Sequence, residues 1–276
     1  MDLININIDD KKQIKKIIEL DCFTSSKDYP DKQILRLGNK GIRVIVKKRN
    51  NDFYKLNIQL KPHYYYNNDL HNGNMMNSKD TIDVLREIGN KLYLTKNNVI
   101  TSLEFGLNTV PDFYDTKNII NQSLYYKKKP LIYTRADWNY FKTTKEKDTH
   151  PTIYTKIYHK KEQGENYLFD DIEDNTLRYE NGFTSNRKIK DTFNVTNYQD
   201  LIDLENIKKF GIYLLNSWDY MLILDEIRED IDICNPNHYS NLKHFRNGLL
   251  NARINYYKSH GILHKEIKSL LDYTYH

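Results

Sequence analysis

The sequence predicts an α+β fold, a mixed or antiparallel β-sheet with flanking helices followed by a helical C-terminal region. Two patterns and one composition figure predict it. Segments that repeat every two residues alternate with segments of helical spacing up to about Asp191, and from Tyr198 onward the spacing is helical. The 276 residues are 39% apolar, ample for a sizeable core. The division read from this is 1–191 as an α+β domain and 192–276 as a helical region.

The elements follow in order. Ile4, Ile6 and Ile8 alternate with Asn5, Asn7 and Asp9 as a first strand, and Lys11 to Leu20 has helical spacing. Gly41–Lys48 and Asp52–Lys61 read as a hairpin turning at Arg49, Asn50 and Asn51, with Tyr54, Leu56, Ile58 and Leu60 on one face. A helix follows, with Ser78 as N-cap, Asp80 in its first turn and Ile82, Leu85, Ile88 and Leu92 as its apolar stripe. Val99–Asn108 is a strand, Thr116–Tyr126 a helix, and Pro151–Lys160 and Thr176–Phe183 are strands. Lys142–His150 reads as a polar loop. The C-terminal helical pattern runs through Leu204, Ile207, Ile212, Leu215, Met221 and Leu224, then Asn241–Tyr257 and Leu263–Leu271.

Composition narrows the function classes. There is no apolar run near the ~20 residues that cross a bilayer. Met1 opens an alternating stretch, not a charged region followed by an apolar one, so the expectation is an unexported, cytoplasmic protein without membrane contact. Cys22 and Cys234 have no Cys-x-x-Cys spacing for zinc and are expected as buried thiols. Enrichment in Asn, Lys, Ile and Tyr matches A+T-rich codons, so none of the 23 tyrosines is informative alone. Net charge is only +5, but it is unevenly spread. Arg36–Lys61 holds eight Lys/Arg against Asp52, and Ser123–Lys161 holds ten against Asp137, Glu146 and Asp148. Basic stretches interleaved with tyrosines suit a nucleic-acid strand gripped by its phosphates and stacked on by aromatics; solvated faces are the competing reading.

Residues two apart on a strand share a face. Tyr154, Lys156, Tyr158 and Lys160 therefore lie together, opposite Ile153, Thr155 and Ile157. Glu104 shares a side with Gly106, which leaves room for a ligand, and Arg178 shares a side with Glu180. If these strands are neighbours, one face carries parts for phosphodiester transesterification. Glu104 and Glu180 would hold Mg²⁺ or Mn²⁺, and a tyrosine would attack phosphorus. Lys160 would favour the phenolate of Tyr158 or neutralise the pentacovalent phosphate. Surface ion pairs and an ordinary strand tyrosine are the alternative.

Four ordered motifs resemble the replication endonucleases of filamentous phages (the gene II product) and related initiators of small Bacteroidetes-type phages and plasmids. They are Val99–Asn108 with its acidic residue, Tyr154–Lys160 with a tyrosine-x-lysine run, Thr176–Glu180 with arginine-aromatic-glutamate, and Leu60–His63 with Leu70–Asn72. The last ends in a histidine-asparagine pair. The resemblance covers the first strand to Leu204. It departs from the pattern at Glu104, where aspartate is frequent, and at Asn181 and Gly182, where a basic pair is usual.

The resemblance implies a DNA nicking and joining endonuclease that starts rolling-circle replication through a 5′-phosphotyrosyl link at Tyr158. Lys160 would assist, and Tyr154 would be a possible second nucleophile. Lys47, Lys48, Arg49, His71, Asn72, Lys156 and Arg178 are the candidate DNA contacts. The implied partners are origin DNA, duplex and single-stranded, with a host helicase and polymerase in a bacterial cytoplasm; a homodimer stays open. The helices after residue 191 would touch DNA or a partner, or simply pack. His63 and His71 are eight apart and lack the paired-histidine motif of many nicking enzymes, and His159 points away from Tyr158. No Gly-Lys-Ser/Thr is present, so no ATP site is expected. A metal-dependent hydrolytic nuclease and a non-catalytic DNA-binding replication or copy-control protein are the rivals.

Overall fold

In a computed structural model the protein is described for residues 1–38, 40–50, 52–111, 115–126, 129–130, 132–133, 140–142, 153–218 and 220–223. The expected Asn241–Tyr257 and Leu263–Leu271 helices, Leu224, Cys234 and the loop 143–150 lie outside these residues.

The elements in order are β1 (Leu3–Ile8), α1 (Lys11–Ile18), β2 (Ser25–Asp28), β3 (Lys32–Leu37), β4 (Ile42–Arg49), β5 (Asp52–Leu60), α2 (Pro62–Tyr66), α3 (Ser78–Lys91) and β6 (Val99–Thr109). There follow α4 (Thr116–Gln122), β7 (Ser123–Tyr126), β8 (Lys129–Pro130), β9 (Ile132–Tyr133), β10 (Tyr140–Lys142), β11 (Ile153–His159), β12 (Leu177–Phe183), α5 (Asn186–Phe193), α6 (Leu204–Trp218) and β13 (Met221–Ile223). Among the described residues ten strands form one sheet in the order β2-β3-β4-β5-β1-β6-β12-β11-β10-β9, and β13-β7-β8 form a second. Every pairing is antiparallel, so the fold is α+β with an antiparallel sheet.

Alternation decides which face is covered. Ile4, Ile6 and Ile8, Val44 and Val46, Leu56, Ile58 and Leu60, Leu103, Phe105 and Leu107, and Tyr179 and Phe183 are all buried. They share one core with Ile14 and Ile17 of α1, Leu85 and Ile88 of α3, Ile189 and Phe193 of α5, and Phe210 and Leu214 of α6. Phe105 is the hub, with ring centroids 5.0 Å from Phe210, 5.7 Å from Phe193 and 6.0 Å from Phe183. Such pairs add ~0.5–1.5 kcal/mol each beyond burial. Helix α6 is thus part of the sheet's own core, fixed also by the Ser217 hydroxyl 2.7 Å from the Tyr179 hydroxyl.

Several local expectations shift. The α3 cap is Asn77, whose side chain accepts from Asp80 N at 2.8 Å, so Ser78 is the first helical residue. Thr116–Tyr126 is helical only to Gln122; Ser123 is extended (φ −76, ψ 111) and the chain continues as β7. Tyr198–Ile202 is a 3-10 turn held by a capping box between Asn197 and Asp200. The β4–β5 turn is tight, with Arg49 paired to Asp52 and Asn50 at φ 50. Cys22 is only half-buried. Among the described residues no helix is long and apolar enough to cross a membrane.

Candidate active site

The face of the sheet opposite α3, α5 and α6 is polar, and register assembles the site on it. Strand β12 lies between β6 and β11, with Gly182 opposite both Glu104 and Tyr154, Glu180 opposite Gly106 and Lys156, and Arg178 opposite Asn108 and Tyr158. The three strands that carry the chemical motifs are therefore neighbours.

The side chains form one hydrogen-bonded ionic cluster. The Tyr158 hydroxyl donates to Glu180 Oε1 at 2.6 Å, and the Tyr154 hydroxyl donates to Glu104 Oε2. Lys156 Nζ stands between the carboxylates, 2.7 Å from Glu104 Oε2 and 3.2 Å from Glu180 Oε2. Arg178 gives Nε to Glu180 Oε1 at 2.9 Å, Nη1 to Asn108 Oδ1 at 2.9 Å and Nη2 to Asp2. Lys160 Nζ, fully buried, donates to Asn72 Oδ1 at 2.8 Å and Gln163 Oε1 at 2.7 Å. Charges this deep must be paired, because an uncompensated one costs several kcal/mol.

The environment separates the two carboxylates. Burial raises the Glu104 carboxyl, and the Glu180 charge raises it further against the pull of Lys156. Burial acts on Glu180 too, but Lys156, Arg178 and Lys160 outweigh it and hold that carboxyl well below the usual range. Glu104 is thus the better proton acceptor and Glu180 a fixed anion. Both tyrosine hydroxyls are pushed up, first by burial and then by the carboxylate each contacts. Lys160, 5.4 Å from the Tyr158 ring centroid, does not offset this rise. Its own ammonium is brought down to about 7 by burial and then by Arg178.

Other sequence expectations need correction. The space beside Gly106 is filled by the protein itself: a methyl there would run into the Tyr179 carbonyl oxygen and meet Glu180 Cγ at 2.7 Å, so the glycine allows β12 and its Glu180 side chain to pack close. Gly182, where a basic residue was usual, passes beneath the Tyr154 ring, and any side chain would overlap it. Arg178 spends its donors on Glu180, Asn108 and Asp2 and is 2% exposed, so it has no reach to DNA. His71 and Asn72 are buried as well. His71 Nε2 lies 3.0 Å from Asp171, its Nδ1 accepts from Gly73 N at 3.3 Å, and Asn108 Nδ2 donates to the carbonyls of Asn72 (3.1 Å), Gly73 (2.7 Å) and Asn74 (2.9 Å). They build the loop that closes over Arg178. Lys47 and Arg49 are exposed on the hairpin, far from the cluster, and Lys48 is paired with Asp28. His63 is buried against Asn74 at 2.8 Å, and His159 is buried.

Glu104 and Glu180, expected to hold Mg²⁺ or Mn²⁺, do not fit a divalent ion in this arrangement. Such ions need about six oxygen ligands. Here the Lys156 ammonium takes the position between the carboxylates, and Glu180 Oε1 is already shared by Tyr158 and Arg178. Among the described residues no group of three or more His, Cys, Asp or Glu is placed to hold a metal.

Sequence reasoning missed Asp2 and Asn108. Asn108 was findable, two residues from Gly106 on the Glu104 face; Asp2 precedes its strand, where period two carries no information. Fold and site together define an α+β protein with a buried tyrosine–carboxylate–lysine cluster on the polar face of an antiparallel sheet. Comparison of the sequence with protein-family models and with curated proteins gives no match.

Proposed function

We propose that this chain is a DNA nicking and joining enzyme that initiates rolling-circle replication of a small phage or plasmid through a 5′-phosphotyrosyl intermediate. One observation carries the reading: each of two tyrosine hydroxyls on one strand donates to its own carboxylate, and a single lysine bridges those carboxylates. Nucleophile, base and cation are the parts that phosphodiester transesterification requires.

In this reading Tyr154 attacks first, and Tyr158 becomes the second candidate. Tyr158 is 5% exposed, with its hydroxyl on the Glu180 oxygen that Arg178 also holds. Tyr154 is more exposed, and its partner is the carboxylate better able to take a proton. The Tyr154 oxygen forms a bond to phosphorus as the bond from phosphorus to the 3′-oxygen breaks. The phenolic proton passes to Glu104, and the leaving 3′-oxygen is protonated from solvent. Lys156 neutralises charge on the pentacovalent phosphate, and no step runs through a metal. The 3′-hydroxyl primes a host polymerase, a separate helicase unwinds, and the reverse transfer rejoins the strand.

Supercoiled DNA bearing the origin of the encoding replicon, incubated with the protein and then denatured, separates the readings. A protein–DNA adduct that disappears in Tyr154→Phe supports this one. Nicks without adduct indicate a hydrolytic nuclease, and intact DNA indicates binding alone. An adduct lost only in Tyr158→Phe returns the first attack to Tyr158.

A further inference from the structure

The polar face continues away from the tyrosines across β6, β1, β5, β4 and β3, and its cations are arranged by register. Lys32 is opposite Lys47, and Lys47 is opposite Lys55, so three lysines form one cross-strand row. Two steps along, past Ile34 opposite Ile45, Arg36 lies opposite Arg43. Like charges directly opposite one another destabilise a sheet. Among the described residues, Arg43, Lys47 and Lys55 have no carboxylate partner, and Arg43 Nε is buried without a hydrogen-bond acceptor.

Nearer the tyrosines, Lys40 and Lys61 each place Nζ 5.5 Å from the centroid of the Tyr64 ring. Burial lowers the Lys61 ammonium, and Lys40, Arg36 and Arg43 lower it further against Glu104, so these cations share one field. The Tyr64 hydroxyl is raised by burial and then by the charges of Asp2 and Glu180. The row that holds Arg36 and Arg43 runs on through Gln59, Asn5 and Ser102, and Glu104 follows on β6.

We propose that this face is a binding track for single-stranded DNA, with the phosphates on Arg43, Lys61, Lys47 and Lys55 and a base stacked on Tyr64, leading the scissile phosphate to Tyr154. The proposal rests on the nicking and joining reading. Charge complementarity selects the occupant, since a row of opposed cations calls for a polyanion. The Tyr64 ring suits an unpaired base, which stacks on an aromatic face. Strands spaced ~4.8 Å apart carry the track roughly 30 Å from β3 to β11, long enough for about nine nucleotides at a stacked rise of ~3.4 Å.

The test is the fluorescence anisotropy of a labelled 15-nucleotide thymidine strand, titrated with the full chain at several salt concentrations. The proteins compared are wild type, Lys47→Glu/Lys55→Glu, Arg43→Gln/Lys61→Gln, and a control, Lys79→Glu/Lys188→Glu, on exposed positions of α3 and α5. Far-UV circular dichroism verifies folding, and Lys47, exposed on β4, keeps the first double variant informative if the second unfolds. The track predicts at least a tenfold loss of affinity in both track variants, little change in the control, and a salt slope shallower by about 1.4 for two lost phosphate contacts. Wild-type binding that survives in the track variants overturns the track and leaves the nicking reading standing. Tighter binding to a 15-base-pair duplex overturns the single-stranded occupant, and no wild-type binding to either probe overturns both proposals.

Discussion

At the scale of single residues, the account turns on two carboxylates of one chemistry driven apart by their surroundings. If Glu104 is the base, Glu104→Gln lowers the rate of adduct formation by about 10²–10⁴-fold. Because burial and Glu180 raise its carboxyl, the wild-type rate rises with pH through a midpoint above the ordinary carboxylate value of 4.5. A midpoint at or below that value would remove Glu104 from the role. Gly182→Ala tests placement: the added methyl overlaps the Tyr154 ring, displacing the hydroxyl from Glu104. Overpacking of this kind costs ~1–3 kcal/mol. The chain therefore stays folded by circular dichroism while adduct formation falls. The same glycine shows where the sequence was opaque. Alternation placed Tyr154, Lys156 and Tyr158 on one face, but a glycine gives no sign of the ring lying over it.

At the scale of elements, β12 supplies both the anion and the cation that make the cluster a unit. Arg178→Met would leave Glu180 and Asp2 buried without their guanidinium, a loss of ~3–5 kcal/mol measurable by urea unfolding. Lys160, in the loop after β11, sets a pH dependence of opposite origin. Its folded ammonium titrates at about 7 against 10.5 unfolded, so between these values the unfolded chain binds more protons. Stability therefore rises with pH across that window, and Lys160→Met flattens the rise. The strands of the site were legible because Ile153–His159, Leu177–Phe183 and the Leu103–Asn108 part of Val99–Thr109 largely alternate apolar and polar residues. The β2–β3 hairpin was not, since all four residues of β2 are exposed and carry no apolar signal. Helix α4 ended earlier than its spacing implied, because apolar residues at Ile119, Ile120 and Leu124 serve a helix followed by a strand as well as one long helix.

At the scale of the whole molecule, one antiparallel sheet divides the labour. Its apolar face meets most of the helices and supplies stability, while its polar face carries the basic row and, under the Asn72–Asn74 loop, the buried charged cluster. Phe105→Ala, at the hub of the aromatic cluster, should lower stability by ~3–5 kcal/mol without touching the charged face. The α+β class was legible in the succession of periods two and 3.6. Strand order was not, because residue spacing along the chain does not say that β12 inserts between β6 and β11. The central claim is that a tyrosine–carboxylate pair bridged by lysine links covalently to DNA. Mass spectrometry of nuclease-trimmed, protease-digested protein, after reaction with origin DNA in EDTA and separately in Mg²⁺, tests it most directly. The account predicts a nucleotide on Tyr154 in both conditions; nicked DNA with no nucleotide on Tyr154 or Tyr158 would contradict it.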